Sequence, residues 1–382
     1  MTLQFQQIGL WAPRLDPAHR IVPFLKWPGG KSEELPVIAA SSPPLTRRII
    51  DPFVGGGSVW LAAPPEVPAI VNDACRDLMA LYRAAARRDS AYGDAMISLA
   101  VAWDRMADLD EVHADLAKQF KDTADERPET WIVRHRARLA ALLEPAGQDL
   151  MLRFVAEASR LITAKFQRMR RLESSLGGTL SEDDALDNVE GAVRSVVYDA
   201  VRARYNEARL AGRFDAVRSA DFFLLRALAM NSMFRFNASG EFNVPYGGVS
   251  YNRQPLLGRV ASMFSSPMFE RLANTTLHCQ DFEPFLAKAS PKRDDFVFVD
   301  PPYESQFSTY DGLQFGPADQ VRLRDVLESL PSRVMVVIKD TPTIRRLYES
   351  GRWQVAERAK TYAWTIKSRN DREATHLMIT NY

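Results

Sequence analysis

Strand-like apolar runs fall in two separated stretches of this chain, with a long helical block between them. From Ile21 to about Tyr82, short apolar runs alternate with Gly and Pro clusters, the texture of strands, tight loops and one or two helices. From about Arg83 to Arg226, Ala, Leu and Arg dominate and apolar residues recur at spacings of three and four, which predicts helices. Breaks are expected near Arg127-Pro128, Glu144 to Gly147 and Leu176 to Gly178, and the acidic stretch Ser181 to Glu190 reads as a solvated loop and helix start. Strands return as Phe296 to Val299, Val334 to Ile338, Thr361 to Ile366 and His376 to Thr380, with a helical stretch at Pro317 to Leu330. One α/β domain interrupted by an insertion satisfies this order. The expected division is an extension over 1–20, a split α/β domain over 21–82 and 276–382, and a helical insertion over 83–275.

Composition removes several function classes. Apolar residues at 46% and charged residues at 25% are ordinary for a globular chain, so disordered and fibrous classes fall away. Cys75 and Cys279 form no CxxC spacing, and the five histidines form no HExxH pair, so no metal site is expected. No run of about 18 apolar residues and no leader pattern occurs, so a membrane role is not expected and a reducing, cytoplasmic setting is. The net charge of +1 excludes a uniformly basic coat but not a local patch. Between Arg202 and Arg259 nine Arg stand against four Asp+Glu, and Arg153, Arg160, Lys165, Arg168 and Arg170 offer a second basic face.

Two segments carry chemistry. In Ile49-Ile50-Asp51-Pro52-Phe53-Val54-Gly55-Gly56-Gly57 a strand ends at an acid and enters a glycine turn, which lets backbone pass close to a ligand. About twenty residues on, a second strand ends at Asp73, a spacing suited to ribose hydroxyls. The run is not GxGxxG, so a nicotinamide-dependent oxidoreductase is disfavoured, and a plain structural turn remains an alternative. In Val299-Asp300-Pro301-Pro302-Tyr303 a buried strand ends in an acid, two prolines and an aromatic. Proline lacks an N–H and ends the strand, leaving the Pro301 carbonyl and Asp300 as two acceptors beside a flat Tyr303 ring. That set suits a planar group bearing an exocyclic NH2. A simple strand end is the bland alternative.

Together these segments resemble the S-adenosylmethionine-dependent DNA adenine-N6 methyltransferases of the Dam type. Phe24 to Lys31 (Phe-Leu-Lys-Trp-Pro-Gly-Gly-Lys) is similar to that family's N-terminal cofactor motif, and Arg235 to Gly247 to its hairpin in the DNA-recognition region. Glu373 to Tyr382 also fits, and the motif order agrees. The resemblance implies a Rossmann-like mixed sheet with an inserted, mainly helical DNA-recognition domain carrying a β-hairpin near 235–248. It implies cofactor contacts for Trp27 and Lys31, with Lys31 on the methionine moiety. Asp51, Phe53, Gly55 and Gly57 would shape the loop, Asp73 would hold the ribose, and Asp281-Phe282 the cofactor adenine. Asp300, Pro301, Pro302 and Tyr303 would form the catalytic set, with Asp300 also beside the cofactor.

DNA contacts are implied for Arg235, Asn237, Asn243, Tyr246 and Arg253, with double-stranded DNA as substrate and a nucleoid association while the enzyme acts. The adenine amino group is a poor nucleophile because its lone pair is delocalised. Asp300 and the Pro301 carbonyl would accept its hydrogens and localise that pair. The base must leave the duplex to reach them, with Tyr303 stacking on it. A cytosine-N4 acceptor and a non-catalytic DNA-binding module remain the rival readings. A restriction endonuclease or another protein partner stays open, as do the recognition sequence and oligomeric state.

Overall fold

The computed structural model describes residues 21–44, 46–122, 128–302, 309–310, 313–361 and 373–382. Its contacts divide the chain into two units, one running to Arg88 and resuming at Ser262, the other spanning Asp89–Ala261.

The first unit is built on a seven-stranded mixed sheet. In chain order the strands are β1 (Ile49–Asp51), β2 (Ala69–Asn72), β3 (Thr275–His278), β4 (Phe296–Val299), β7 (Arg333–Lys339), β8 (Gln354–Thr361) and β9 (Glu373–Thr380). Their spatial order is β3-β2-β1-β4-β7-β9-β8, and β5 (Thr309–Tyr310) and β6 (Leu313–Gln314) form a separate antiparallel pair. The first five neighbours run parallel, whereas β9 lies antiparallel between β7 and β8. Strands buried on both faces read as continuous apolar runs, and Phe296–Val299 and the interior of β7 are such runs.

Alternate side chains sort onto two faces. Val297, Val299, Val334, Val336 and Ile379 pack under α11 (Phe282–Ala289), α12 (Pro317–Ser329) and α13 (Pro342–Tyr348). Phe296, Phe298, Met335, Val337 and Met378 pack with α1 (Leu35–Ser41) and the 59–63 segment. Strand β1 is flanked by β2 on one side and β4 on the other, so the connection order reverses there. Open α/β sheets bind ligands outside the carboxyl ends of strands at such a reversal.

Of the strand expected at Thr361 to Ile366, Thr361 is the last residue of β8 and residues 362–366 lie outside the described ones. The helical insertion, expected over 83–275, begins after α2 (Arg76–Arg87) and ends before α10 (Ser266–Ala273). These two helices pack on each other inside the sheet unit, and the Arg88 guanidinium lies 3.9 Å from the Phe269 ring centroid.

The second unit is helical. Its longest members, α6 (Gln148–Leu176) and α7 (Glu182–Leu210), lie side by side, joined through Gly177 in the left-handed region at φ +67°. Ser181 caps α7 by accepting from the Asp184 N–H, and Glu182, Asp183 and Asp184 fill its first turn, where acids complement the helix dipole. Residues 235–243 double back through an antiparallel Phe236–Phe242 bridge, clasped by Asn206 of α7, whose amide donates to the Phe242 carbonyl and accepts from its N–H. No described helix is long and apolar enough to cross a membrane.

Candidate active site

The carboxyl ends of β1, β2 and β4 bring four of the expected residues to one place. Asp51 ends β1, Asp73 follows β2 and Asp300 follows β4, while Lys31 arrives from the loop before α1. Lys31 is buried, and its ammonium donates to Asp300 Oδ1 at 2.6 Å and to the Gly29 carbonyl at 2.7 Å. The sequence reading had aimed Lys31 at the cofactor and missed this pairing. Burial pushes the Asp300 carboxyl above the usual carboxylate range, and the Lys31 charge and hydrogen bond oppose that push. Asp51 is also buried. Burial, with the nearby Asp300 and Asp73 charges, drives it well up, against the Phe53 N–H and Lys31.

The glycine turn is held from below. Asp73 accepts from the Gly55 N–H at 3.0 Å and the Cys75 N–H at 2.9 Å, and the Tyr82 hydroxyl donates to the Gly55 carbonyl at 3.0 Å. Gly55 sits at φ +47°, and a Cβ there would lie 2.7 Å from Trp27 Cδ1. Gly57 sits at φ +79°, and its Cβ would meet Trp60 Nε1 at 2.5 Å. Both positions therefore require glycine, and Trp27 lies directly on the turn. Asn72 holds the β1–β2 end to the segment after β3, donating to the Pro52 and Gln280 carbonyls and accepting from the Gln280 N–H.

Phe53, Phe282 and Phe315 form an aromatic cluster, with Phe53 centroids 5.5 Å and 5.6 Å from the other two. Asp281 caps α11 and pairs with Arg322 of α12. Gln320, on the same helix, donates to the Pro302 carbonyl at 3.1 Å. Tyr303 lies outside the described residues. Asn72, Gln280, Gln320, Arg322 and the pair of half-buried Glu34 with buried His376 (2.7 Å) were not singled out in the sequence. Their only sequence signal was a polar residue beside an otherwise apolar strand or an acid-rich helix start. Among the described residues no group of three or more His, Cys, Asp or Glu could hold a metal ion.

The expected DNA-facing residues lie in the helical unit, where many have local partners. Arg235 donates to Asn243 Oδ1 at 3.0 Å, and Asn237 exchanges hydrogen bonds with Glu241. Tyr246 is buried and its hydroxyl donates to Asn252, while exposed Arg253 pairs with Glu190 at 3.3 Å. Three of the nine arginines counted over 202–259 are buried, which lowers the charge that this stretch can present at the surface. Arg204, Arg218 and Arg226 are buried; Arg204 pairs with Asp221 at 2.7 Å, and Arg226 donates to the Ser232 and Met233 carbonyls. Those carbonyls flank a turn in which Asn231 and Ser232 both adopt φ +54°. Arg153 likewise bridges α6 to Glu207 of α7 through two 2.6 Å bonds.

A mixed sheet with acids and a glycine turn where its strand order reverses, beside a lysine-bound Asp-Pro-Pro strand end, is an α/β arrangement suited to a nucleoside-containing ligand. The model of the D12 class N6 adenine-specific DNA methyltransferases matches residues 27–153 and 182–364, more than half of the chain, and the chain belongs to that family. Its activity is methylation of the N6 amino group of adenine in DNA. The type II methyltransferase M1.LlaDCHI of Lactococcus lactis subsp. cremoris is 24% identical over 94% of this chain and 95% of its own length. The type II methyltransferase M.CviBI of Paramecium bursaria Chlorella virus NC1A is 27% identical over 49% of this chain and 72% of its own. A DNA adenine methylase of Vibrio cholerae is 28% identical over 46% and 63% respectively. The cytosine-N4 alternative is not the acceptor that the family description names.

Proposed function

We propose that the ends of β1, β2 and β4 bind S-adenosylmethionine and an adenine flipped out of duplex DNA, with Asp300 as the central catalytic residue. The observation that carries this reading is the 2.6 Å Lys31–Asp300 pair at the end of β4, one residue before the Pro301 carbonyl. The fit to the cofactor rests on the glycine cradle, where no side chain can replace hydrogen at Gly55 or Gly57, and on the acceptor at Asp73. Trp27, Phe53 and Phe282 would supply apolar walls, Asp51 and Asp73 acceptors for the methionine ammonium and ribose hydroxyls, and Asp281 an acceptor for the cofactor adenine.

Bound there, the cofactor supplies an electrophilic methyl group on a sulfonium centre. The chain's own residues prepare the nucleophile. Asp300 Oδ2 and the Pro301 carbonyl accept the two N6 hydrogens, which draws the lone pair out of conjugation. The Asp300 carboxylate then stabilises positive charge as it develops on N6 and takes the departing proton, while Lys31 keeps that carboxylate ionised in its buried setting. Gln320 fixes the Pro302 carbonyl and so the course of the chain after Pro301. Tyr303 would stack on the flipped base, offsetting the few kcal/mol that unstacking costs. The helical unit, with its 235–243 turn, would read the target sequence, with Arg235, Asn237, Asn243 and exposed Arg253 near DNA. The names of the two type II relatives support pairing with a restriction endonuclease.

Incubation of duplex DNA with the protein and methyl-labelled cofactor, then digestion to nucleosides, tests the proposal. Label is expected in N6-methyladenine and absent with Asp300→Ala. Label persisting at the wild-type rate in Asp300→Ala would remove Asp300 from the chemistry.

A further inference from the structure

The α12 helix touches both walls of the site: Gln320 reaches the Pro302 carbonyl, and two residues further Arg322 reaches the segment after β3. Arg322 makes a fork to Asp281, with Nη1 donating to Oδ1 at 2.8 Å and Nη2 to Oδ2 at 2.9 Å. Asp319 and Glu283 each accept from it at 3.0 Å, and its guanidinium carbon lies 4.3 Å from the Phe282 ring centroid. Two acids, the N-terminal turn of its own helix and an aromatic face thus fix this side chain in one orientation. The Arg322 and Asp281 side chains are 37% and 44% exposed, so the pair contributes little to stability. What it supplies is geometry.

We infer that Arg322 is a positioning residue that selects a 6-amino purine in the cofactor, an inference that rests on the reading of Asp281 as the acceptor for the cofactor adenine. An ionised carboxylate has about four lone-pair directions. At Asp281, Oδ1 accepts from the Glu283 N–H at 2.9 Å and from Arg322, and among the described residues Oδ2 accepts from Arg322 alone. One direction on Oδ2 is left for a donor, and the planar fork fixes where it points. An adenine amino group supplies a donor. A 6-oxo purine presents an acceptor instead and sets two lone pairs against each other. The same guanidinium lies over Phe282, so the ring that would cover the base and the acid that would read its edge are set by one side chain.

The test compares binding of S-adenosylhomocysteine and its 6-oxo counterpart, S-inosylhomocysteine, by titration calorimetry. The wild-type protein is expected to prefer the amino compound. Arg322→Met is expected to weaken the amino compound roughly tenfold, the scale of one misaligned charged hydrogen bond, and to leave the oxo compound nearly unchanged. Arg322→Lys, a point charge without the fork, is expected to fall between them. Equal weakening of both ligands by Arg322→Met would reduce Arg322 to a structural part and overturn the inference. If the Met variant does not fold, an unchanged preference in Arg322→Lys does the same. Asp281→Asn separates the two layers. A preference that survives in Asp281→Asn removes the Asp281 reading itself, whereas a preference lost there but kept in Arg322→Met defeats only the role of Arg322.

Discussion

Replacing Lys31 by Met removes the cation from a pair whose lysine side chain is 1% exposed and whose aspartate is 20% exposed. Side-chain length is kept, and the variant removes the charge together with the hydrogen bonds to Asp300 and the Gly29 carbonyl. Breaking a buried pair from one side costs about 3–5 kcal/mol, and partial access of water to Asp300 sets the expectation near about 3 kcal/mol. The carboxyl has a way out of that cost, which is to bind a proton. Its value is already raised in the intact protein by burial, with Lys31 as the first opposing influence, so removing Lys31 raises it further. A carboxyl whose folded value exceeds its unfolded value holds its proton longer in the folded state. Stability therefore falls as pH rises from the unfolded value through the folded one. The gap between Lys31→Met and wild type should be full at alkaline pH and close toward the acid end. With Asp300 in its proposed role, activity moves the opposite way, because only the ionised carboxyl can accept from N6. The acid limb of the single-turnover rate, measured with saturating cofactor and DNA across pH 5–9, is expected to move up by about one to three pH units. A limb that stays in place, with the variant folded and cofactor-bound, would refute the claim that Lys31 keeps Asp300 ionised.

Further outcomes follow from other contacts. Gly55→Ala must adopt φ +47° with a Cβ 2.7 Å from the Trp27 ring, and fluorescence titration should show cofactor affinity down by about tenfold, matching about 1–2 kcal/mol of left-handed strain. In the helical unit, burial lowers the His113 imidazole to about 4, with Glu190 and Asp110 opposing and Arg194 and Arg253 assisting. Its folded value lies below the unfolded one, so stability is lost as pH falls from about 6.5 to about 4, by roughly 3 kcal/mol at about 1.4 kcal/mol per pH unit. Denaturant unfolding of His113→Leu across that window should show the slope flattened. Asp221→Ala strands buried Arg204, and urea unfolding is expected to lose about 3–5 kcal/mol, less the share Asp149 compensates through its own 3.1 Å bond to Arg204.

How much of this was legible in the sequence depends on what each element buries. Strand β4 and the interior of β7 were readable because both faces are covered, which forces unbroken apolar runs. The acids at the ends of β1 and β4 were readable because a carboxylate interrupts such a run. Residues 354–358 of β8 were not legible as strand because they are exposed at the sheet edge and carry no apolar alternation. The Lys31–Asp300 contact joins residues 269 positions apart, and no local pattern encodes it. The burial of Arg204, Arg218 and Arg226 was illegible for a related reason. Charge is additive along a sequence, whereas burial depends on partners such as Asp221 or the Ser232 carbonyl that only the fold supplies.

The interleaved path of the sheet has a consequence for the order in which the protein can come into being. At about 5–20 residues per second, the ribosome releases Asp300 roughly ten seconds to a minute after Lys31. During that interval the helical unit, being continuous in sequence, has every residue it needs, whereas β1 waits with one flank unpaired for β4. Strand β9 is made after β8 and yet lies between β7 and β8. A nascent chain therefore carries a complete helical unit for some time before it carries both members of the Lys31–Asp300 pair, which is completed late in synthesis.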